Sequence, residues 1–167
     1  MEVLWVSFCW HFNDGCVVGC GTVQHKLNFI EGYKPQQGTK IDVGNVVNET
    51  GQTFDIDIEA MLKEAITEAL QNEKLICTGS EGHKLVITSK IIKYDKGNAA
   101  KRWLLPGWGA TELSIQCDLK DGDKIVGSAE ARRTVVAGGA YTIGAWKTIF
   151  ASIAKDIVKD FRKHVRE

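Results

Sequence analysis

Residues 111–136 read TELSIQCDLKDGDKIVGSAEARRTVV, and this stretch decides the fold class. Over its first nine residues, apolar and polar side chains alternate, as they do on a strand with one buried face. The apolar set is Leu113, Ile115, Cys117 and Leu119. The Asp-Gly pair in KDGD is a turn signal, and residues 124–136 return as the next strand. The stretch therefore predicts an antiparallel hairpin.

The flanking sequence extends this hairpin into a layered domain. Strands are predicted over residues 40–47, 74–78 and 84–94, the last with apolar residues on both faces. Amphipathic helices are predicted over residues 56–72, capped by Asp55 or Asp57, and over residues 143–164. The order of elements predicts an α+β fold: a mostly antiparallel sheet with two amphipathic helices packed on one face, forming a two-layer sandwich.

Length and composition fit one globular domain. The chain has 167 residues, of which 44% are hydrophobic and 25% are charged, and these are ordinary values for a globular protein. Its 21 basic and 21 acidic residues give zero net charge. This balance argues against nucleic-acid binding and against electrostatic attraction to a membrane. No apolar run reaches the about 18 residues of a transmembrane helix.

The N-terminal stretch CVVGCGTV, residues 16–23, raises the question of lipidation. Val17-Val18-Gly19-Cys20 has the small residues and terminal cysteine of a lipoprotein signal box, at about the position where a signal peptide ends. Residues 1–19, however, contain no Lys or Arg, and polar residues interrupt their apolar core. From these residues alone, acylation of Cys20 and a chance match both stay open.

Metal binding is the alternative interpretation of this region. The candidate zinc ligands are Cys9, His11, Cys16, Cys20 and His25. These residue types suit zinc, but their spacing does not pair two Cys-x2-Cys units. No metal or other cofactor is therefore expected. Cys77 and Cys117, which lie in apolar contexts, are predicted to be buried thiols rather than a disulfide.

Catalytic motifs are not evident. The stretch GGAYTIGAWKT, residues 138–148, resembles a phosphate-binding loop, but Ala145 and Trp146 separate Gly144 from Lys147 and break the motif. The histidines lie in polar stretches without a nucleophile in a known arrangement. The sequence therefore predicts a protein that is not an enzyme.

The connection between the strands at 84–94 and 111–119 is longer than a hairpin requires. It places Lys101 and Arg102 before Trp103, Leu104, Leu105 and Trp108. Aromatic side chains and arginine are good anchors in interfaces. Two interpretations stay open: a loop that contacts a partner or a membrane, and a loop that folds back over the edge of the sheet.

Three stretches resemble a known family: VGNVVNETGQTFDIDIEAMLKEAITEAL, KGNAAKRWLLPGWGATELSIQCDLKDG and SAEARRTVVAGGAYTIGAWKTIFASIAKDI. The chain from about Cys20 to Phe161 is similar to a family of small bacterial lipoproteins, domain of unknown function 4410. The segments GNAAKRWLLPGWG and GGAYTIGAW are the most specific. The resemblance implies an envelope protein with a lipidated cysteine at the start of the mature chain, an α/β sandwich and no established enzymatic activity.

With this resemblance, the chain divides into an atypical lipoprotein signal peptide at 1–19, the lipidated Cys20 with a flexible linker at 20–38, and the α+β domain at 39–167. A lipoprotein cysteine carries at least two acyl chains, which suffice for stable anchoring. Gly21, rather than the aspartate that retains enteric lipoproteins in the inner membrane, follows Cys20. The expected location is therefore the outer membrane, facing the periplasm.

The sequence thus predicts a non-catalytic protein that is bound to the membrane through the lipid on Cys20 and presents its domain to an envelope protein partner, with no nucleic acid involved. The candidate contact residues are Arg102, Trp103, Leu104, Leu105, Trp108 and Tyr141. A first alternative is an envelope enzyme or small-ligand binder with a pocket between residues 101–109 and 137–144. A second alternative is a soluble zinc-binding protein. The oligomeric state is left open.

Overall fold

The computed structural model describes residues 21–36, 38–77, 82–98, 101, 109–136 and 144–165. The strands and helices of this part, in chain order, are β1 (Gly21–Phe29), β2 (Lys40–Asn48), α1 (Ile58–Asn72), β3 (Lys84–Asp95), β4 (Thr111–Asp121), β5 (Lys124–Val135) and α2 (Ala145–Val165).

The five strands form one sheet in the order β1-β5-β4-β3-β2. Every neighbouring pair is antiparallel except β2 and β3, which run parallel. The parallel pair follows from the connection, because α1 lies between β2 and β3 and carries the chain back to the starting end of the sheet. The predicted α+β class and mostly antiparallel sheet are confirmed.

The hairpin of β4 and β5 has the predicted turn. Asp121 lies opposite Lys124, which leaves Gly122 and Asp123 as the two central residues of the turn. Gly122 has a φ of +58°. A positive φ at the first central position is a feature of type II′ turns, which match the twist of paired strands. Directly after the turn the pairing shifts by one residue between Leu119 and Lys120, so the turn and this bulge together set the register and the buried face of β4.

The core lies between one face of the sheet and the two helices. In β4 the buried apolar side chains are Leu113, Ile115, Cys117 and Leu119, the set that the sequence predicts. From the other side α1 packs against β2, and α2 packs against β4, β5 and α1. The buried α2 side chains include Ile149, Phe150, Ile153, Ile157 and Phe161. Burying each such side chain stabilises the fold by about 1.5–3 kcal/mol. The helices therefore cover the face of the sheet that carries the apolar side chains.

The first helix is close to its predicted bounds. Of the two predicted caps, Asp57 is the one used: its Oδ1 accepts a hydrogen bond from Ala60 N at 2.9 Å. Asp55 instead forms an ion pair with Lys96. In the second helix, Arg162, Lys163 and His164 occupy the last turn, where cations complement the helix dipole.

Residues 21–29 differ from the predicted flexible linker, because they form the edge strand β1. The register pairs Gly21 with Val135 and Phe29 with Gly127. The ring of Phe29 packs edge-on against Phe161 and stacks on His164 at 3.9 Å between centroids. These contacts hold β1 against α2, although the two elements are distant in the sequence and residues 21–29 are mostly polar.

The predicted strand at 74–78 is reduced to a single bridge. Ile76 forms an isolated parallel bridge with Ile41, and Lys74 has a φ of +57° directly after α1. Ile41 N donates to Leu75 O, and Cys77 N donates to Ile41 O. The segment therefore covers the start of the outer edge of β2 and does not extend the sheet.

Candidate functional site

The predicted contact residues lie outside the described part of the chain. This applies to Cys20, Arg102, Trp103, Leu104, Leu105, Trp108 and Tyr141. The structure nevertheless places the residues that flank these segments: Gly21, Lys101, Gly109, Val136 and Gly144 are described. The positions of these flanking residues show which part of the fold carries the segments.

The two ends of the sheet differ: one carries the start of β1, and the other carries the turn between β4 and β5. At one end Gly21 lies opposite Val135, and Val135 lies opposite Thr111. We call this the proximal end, because it adjoins Cys20 in the chain; β3 also finishes there, at Asp95. The opposite end, with the turn at Gly122, is the distal end.

Both segments that hold the predicted contact residues begin and end at the proximal end. After β3, Thr111 Oγ1 donates to Lys96 O at 2.9 Å, and Asn98 N donates to Gly109 O at 2.9 Å. These bonds close the base of the connection between β3 and β4. The connection between β5 and α2 leaves beside Thr111 and returns where Tyr94 Oη donates to Trp146 O at 3.2 Å.

Trp146 is a half-buried aromatic residue of the proximal end. The centroid of its ring lies 4.8 Å from Lys96 Nζ and 5.1 Å from Lys147 Nζ. Such distances allow cation–π attraction on both lysines. Lys96 also pairs with Asp55 at 3.0 Å, and this contact holds the pKa of the Asp55 carboxyl below its usual value.

The face of the sheet that the helices leave uncovered is polar. A depression of about 480 Å³ is lined there by residues of β1, β3, β4 and β5, including Gln24, Ile92, Ser114, Gln116, Glu130 and Arg132. Next to it, Glu112 lies between Lys93 Nζ at 3.0 Å and Arg132 Nε at 2.8 Å. This face offers hydrogen-bond donors and acceptors to a polar ligand. The predicted pocket between residues 101–109 and 137–144 lies outside the described residues.

The distal end contains a hydrogen-bonded series of Thr39, His83 and Asp121. His83 Nε2 lies 3.0 Å from Asp121 Oδ1, and His83 Nδ1 lies 3.2 Å from Thr39 Oγ1. A nucleophile, base and acid could be arranged in this order. Thr39, however, is only 4% exposed, and its one hydroxyl proton is donated to Gln36 O at 2.6 Å. The series therefore joins the residues before β2 to the β4–β5 turn.

Tyr33 extends this series. Its hydroxyl donates to Asp121 Oδ2 at 2.8 Å. Burial, followed by the hydrogen bond and the negative charge of Asp121, raises the pKa of Tyr33 to about 12. No local sequence pattern indicates this network, because its members lie in segments that are far apart in the chain.

Of the zinc candidates, only His25 belongs to the described residues. Its ring contacts two carboxylates of α2: Nδ1 lies 3.2 Å from Asp160 Oδ2, and Nε2 lies 3.7 Å from Asp156 Oδ2. Arg133 also binds Asp156, at 2.7 Å. Within the described part of the chain, no three His, Cys, Asp or Glu residues are arranged to hold a metal ion.

Cys77 and Cys117 do not form a disulfide, as predicted. The prediction that both thiols are buried is correct for Cys117 only, because Cys77 is half-buried. Cys117 is fully buried with its Sγ 3.2 Å from Ser89 Oγ, and burial raises the pKa of its thiol to about 12. The helices of the described residues include none that is both long enough and apolar enough to cross a bilayer.

These features define a two-layer α+β domain with an uncovered polar face and two dissimilar ends. The chain belongs to the family described as "Domain of unknown function (DUF4410)", whose family model matches residues 39–139. This match confirms the family that the sequence resembles. A search of the curated proteins finds no significant match.

Two similar solved structures are dodecamers of PelC from Paraburkholderia phytofirmans. The first has a TM-score of 0.60 at 14% identity and covers 89% of this chain and 100% of that chain. The second, from another crystal form, has a TM-score of 0.57 at 15% identity and covers 83% of this chain and 95% of that chain. At such identities the likeness establishes the fold.

Proposed function

We propose that this protein is a lipid-anchored, non-catalytic component of the bacterial cell envelope whose α+β domain binds a protein partner. The observation that carries the proposal is the family match over residues 39–139, together with the Val17-Val18-Gly19-Cys20 box. The box ends directly before β1, so the acylated residue would be attached to the folded domain itself.

The outer membrane, with the domain facing the periplasm, is the location that we propose. Gly21 follows Cys20, and the chain therefore lacks the aspartate that retains enteric lipoproteins in the inner membrane. The mature chain from Cys20 would have 21 basic and 19 acidic residues, because Glu2 and Asp14 are removed, and so a net charge of only +2. This leaves the lipid as the main source of membrane affinity, since two acyl chains anchor stably without a basic patch.

A role without catalysis is supported by the geometry of the distal end. The nearest arrangement to a catalytic series among the described residues ends in Thr39, which is buried and already donates its proton to Gln36 O. A nucleophile must give its proton to the adjacent base and must reach the substrate. Thr39 meets neither condition.

Other copies of the chain are the first partner to test. PelC, which shares the fold, forms dodecamers. In this chain β1 is an edge strand, and an edge strand presents backbone groups that a further chain can pair with. Light scattering of the purified protein should therefore give a mass several times that of one chain, and a monomer at all concentrations would contradict self-assembly.

The anchor is tested by intact mass and by cell fractionation. We expect the wild-type mature chain to begin at Cys20, to carry the mass of a diacylglyceryl group at least, and to sediment with membranes. Cys20→Ala should release the protein from the membrane fraction. Cys77→Ala is the matched control, because it removes a thiol of the folded domain and should leave the protein on the membrane. Unmodified wild-type Cys20 would contradict the proposal.

A second candidate function is binding of a small polar ligand by the uncovered face. The depression of about 480 Å³ beside Ser114 and Gln116 favours it, since uncharged donors and acceptors there lie beside Arg132 and Glu130. Binding sites of small molecules have volumes of about 300–1,000 Å³. A ligand that protects Gln116 in an NMR titration, and loses affinity in Gln116→Ala, would favour this function over partner binding.

A further inference from the structure

No linker residue separates Cys20 from the sheet, because β1 begins at Gly21. Gly21 is the first residue of β1 and is paired with Val135 of β5. Consecutive Cα atoms are about 3.8 Å apart, so Cys20 lies within one residue of a fixed point on the sheet. An acyl group on Cys20 would therefore reach the bilayer from the proximal end itself.

We propose that the proximal end of the sheet docks on the surface of a lipid bilayer, with the distal end held away from it. This inference rests on the proposed lipid attachment at Cys20. It adds an orientation that anchoring alone does not give, because a lipoprotein with a long flexible linker can present any of its surfaces to the membrane.

The chemistry of the proximal end suits the membrane interface. Lys96 and Lys147 both place their ammonium groups over the ring of Trp146, and Lys101, five residues after Lys96, is exposed. Tryptophan is enriched at the level of the lipid headgroups, where its ring is amphipathic, and lysine side chains extend from apolar stems into the same layer. The acyl chains provide the affinity for the membrane, and the surface around Trp146 contacts the lipid headgroups.

Charge does not drive the docking. Asp55 pairs with Lys96 at 3.0 Å, and Asp95 accepts a hydrogen bond from Gly97 N at 2.8 Å at the same end. The cations of the surface are thus partly balanced by carboxylates. We therefore expect the docking to be the same on neutral and on anionic vesicles, in contrast to the behaviour of a polybasic segment.

The length of the sheet separates the two ends widely enough to measure. Strand β5 runs from Lys124 at the distal end to Val135 at the proximal end. At about 3.4 Å per residue the two ends are ~37 Å apart. Labels at opposite ends therefore report different heights above the bilayer, provided that one end is held against it.

The test uses the full mature chain, exported behind a working lipoprotein signal in place of residues 1–19, purified in acylated form and placed in phosphatidylethanolamine–phosphatidylglycerol vesicles with nitroxide headgroups. One variant carries a fluorophore at Thr148→Cys, beside Trp146 and Lys147. The matched control carries it at Asp123→Cys in the distal turn. Both positions are exposed, and both variants also contain Cys77→Ser. We expect loss of most fluorescence at 148 and no loss at 123.

A third variant separates the anchor from the sheet. Twelve Gly and Ser residues inserted between Cys20 and Gly21 have a mean reach of ~19 Å, which removes the close tether. The protein should stay on the vesicles, while quenching at 148 should fall toward that at 123. If quenching at 148 is unchanged by the insertion, the orientation does not depend on the short connection between Cys20 and β1, and this part of the proposal is wrong.

The outcomes separate this inference from the proposed function. A protein that is acylated and bound to vesicles, yet equally quenched at 148 and 123 or unquenched at 148, overturns docking by the proximal end and leaves the anchor intact. Unmodified Cys20 in the wild-type chain behind its own residues 1–19 overturns the anchor itself. Strong quenching at 148 alone, both on these anionic vesicles and on neutral phosphatidylcholine vesicles with the same nitroxide headgroups, supports the proposal.

Discussion

The distal and proximal ends of this sheet are closed in different ways. At the distal end a two-residue turn is fixed by side chains, because Asp121 binds both Tyr33 and His83, while Phe29 packs on α2. At the proximal end the connection after β3 is closed by hydrogen bonds between its own two ends, from Thr111 Oγ1 to Lys96 O and from Asn98 N to Gly109 O. One end therefore locks the register of the fold, whereas the other carries the long connections and the residue next to Cys20.

The largest expected difference between the ends comes from two glycines. Gly97 has a φ of +65°, and a Cβ there would lie 2.6 Å from both Gly109 O and Ala110 O. Gly97→Ala should lower the free energy of unfolding by about 3 kcal/mol or more, because the steric clash adds to the ~1–2 kcal/mol cost of a left-handed residue. Chemical denaturation of the domain measures the change.

Gly122→Ala is the matched variant at the distal end. Gly122 has a φ of +58°, but a Cβ there would meet no atom within 4 Å. Only the backbone cost of ~1–2 kcal/mol should appear. Equal losses of stability in the two variants would show that the proximal connection is not closed as tightly as the structure indicates.

The next effect is on the titration of two tyrosines, the half-buried Tyr33 at the distal end and the buried Tyr94 at the proximal end. The pKa values of Tyr33 and Tyr94 are both raised to about 12, mainly by burial. Asp121→Asn should lower the pKa of Tyr33 while leaving it above 10.0, because burial remains. The pKa of Tyr94 should not change, since its neighbouring charges are Asp55 and Asp95. Ultraviolet absorbance at alkaline pH, with Tyr94→Phe for assignment, measures both.

The same shifts determine how stability depends on pH. A tyrosine with a raised pKa stays protonated in the folded state at pH values where the unfolded chain has lost that proton. Stability should therefore be unaffected by these groups below about pH 10 and should fall as pH rises from about 10 toward 12. If the loss of stability at alkaline pH is smaller in Asp121→Asn than in the wild type, part of it comes from Tyr33 at the distal end. An equal loss in the two proteins would contradict that assignment.

The smallest effect is expected for the ion pair of Lys96 and Asp55 at the proximal end. The hydrogen bond from Lys96 is the main cause that lowers the pKa of the Asp55 carboxyl. Lys96→Met should return that pKa toward its ordinary value, as measured by NMR titration. Lys101→Met is the control, because the hydrogen bond of Lys101 is made by its backbone N–H, to Asn98 Oδ1, and does not involve the ammonium group that the substitution removes. An unchanged Asp55 titration in Lys96→Met would show that the pair does not persist in solution.

The elements with strong local patterns could be predicted from the sequence. The alternation in β4, the Asp-Gly turn and the apolar stripe of α1 each determine their structure within a few residues of chain. Strand β1 was missed, although His25, Leu27 and Phe29 do alternate with polar residues. Its partners on β5 and α2 are more than a hundred residues away, and no local pattern reveals them.

The same limit applies to the candidate sites. The short apolar run at 74–78 has strand-like composition, but Lys74 turns the chain beside α1 and leaves one bridge to Ile41. The series from Thr39 to Asp121 joins three segments that only the fold brings together. Acylation of Cys20 and the contacts of Trp103 and Trp108 stay predictions, because these residues lie outside the described part of the chain.

The position of β1 has a consequence for the order in which the protein can be assembled. Among the described strands, β1 pairs only with β5, which is the last of them in the chain. During synthesis, residues 21–29 therefore have no partner in this sheet until residues 124–135 have followed them. Under the acylation proposed for Cys20, the modifying enzyme would act on a segment that is not yet paired in the sheet. Completion of the sheet would then bring the rest of the domain to the proposed point of attachment.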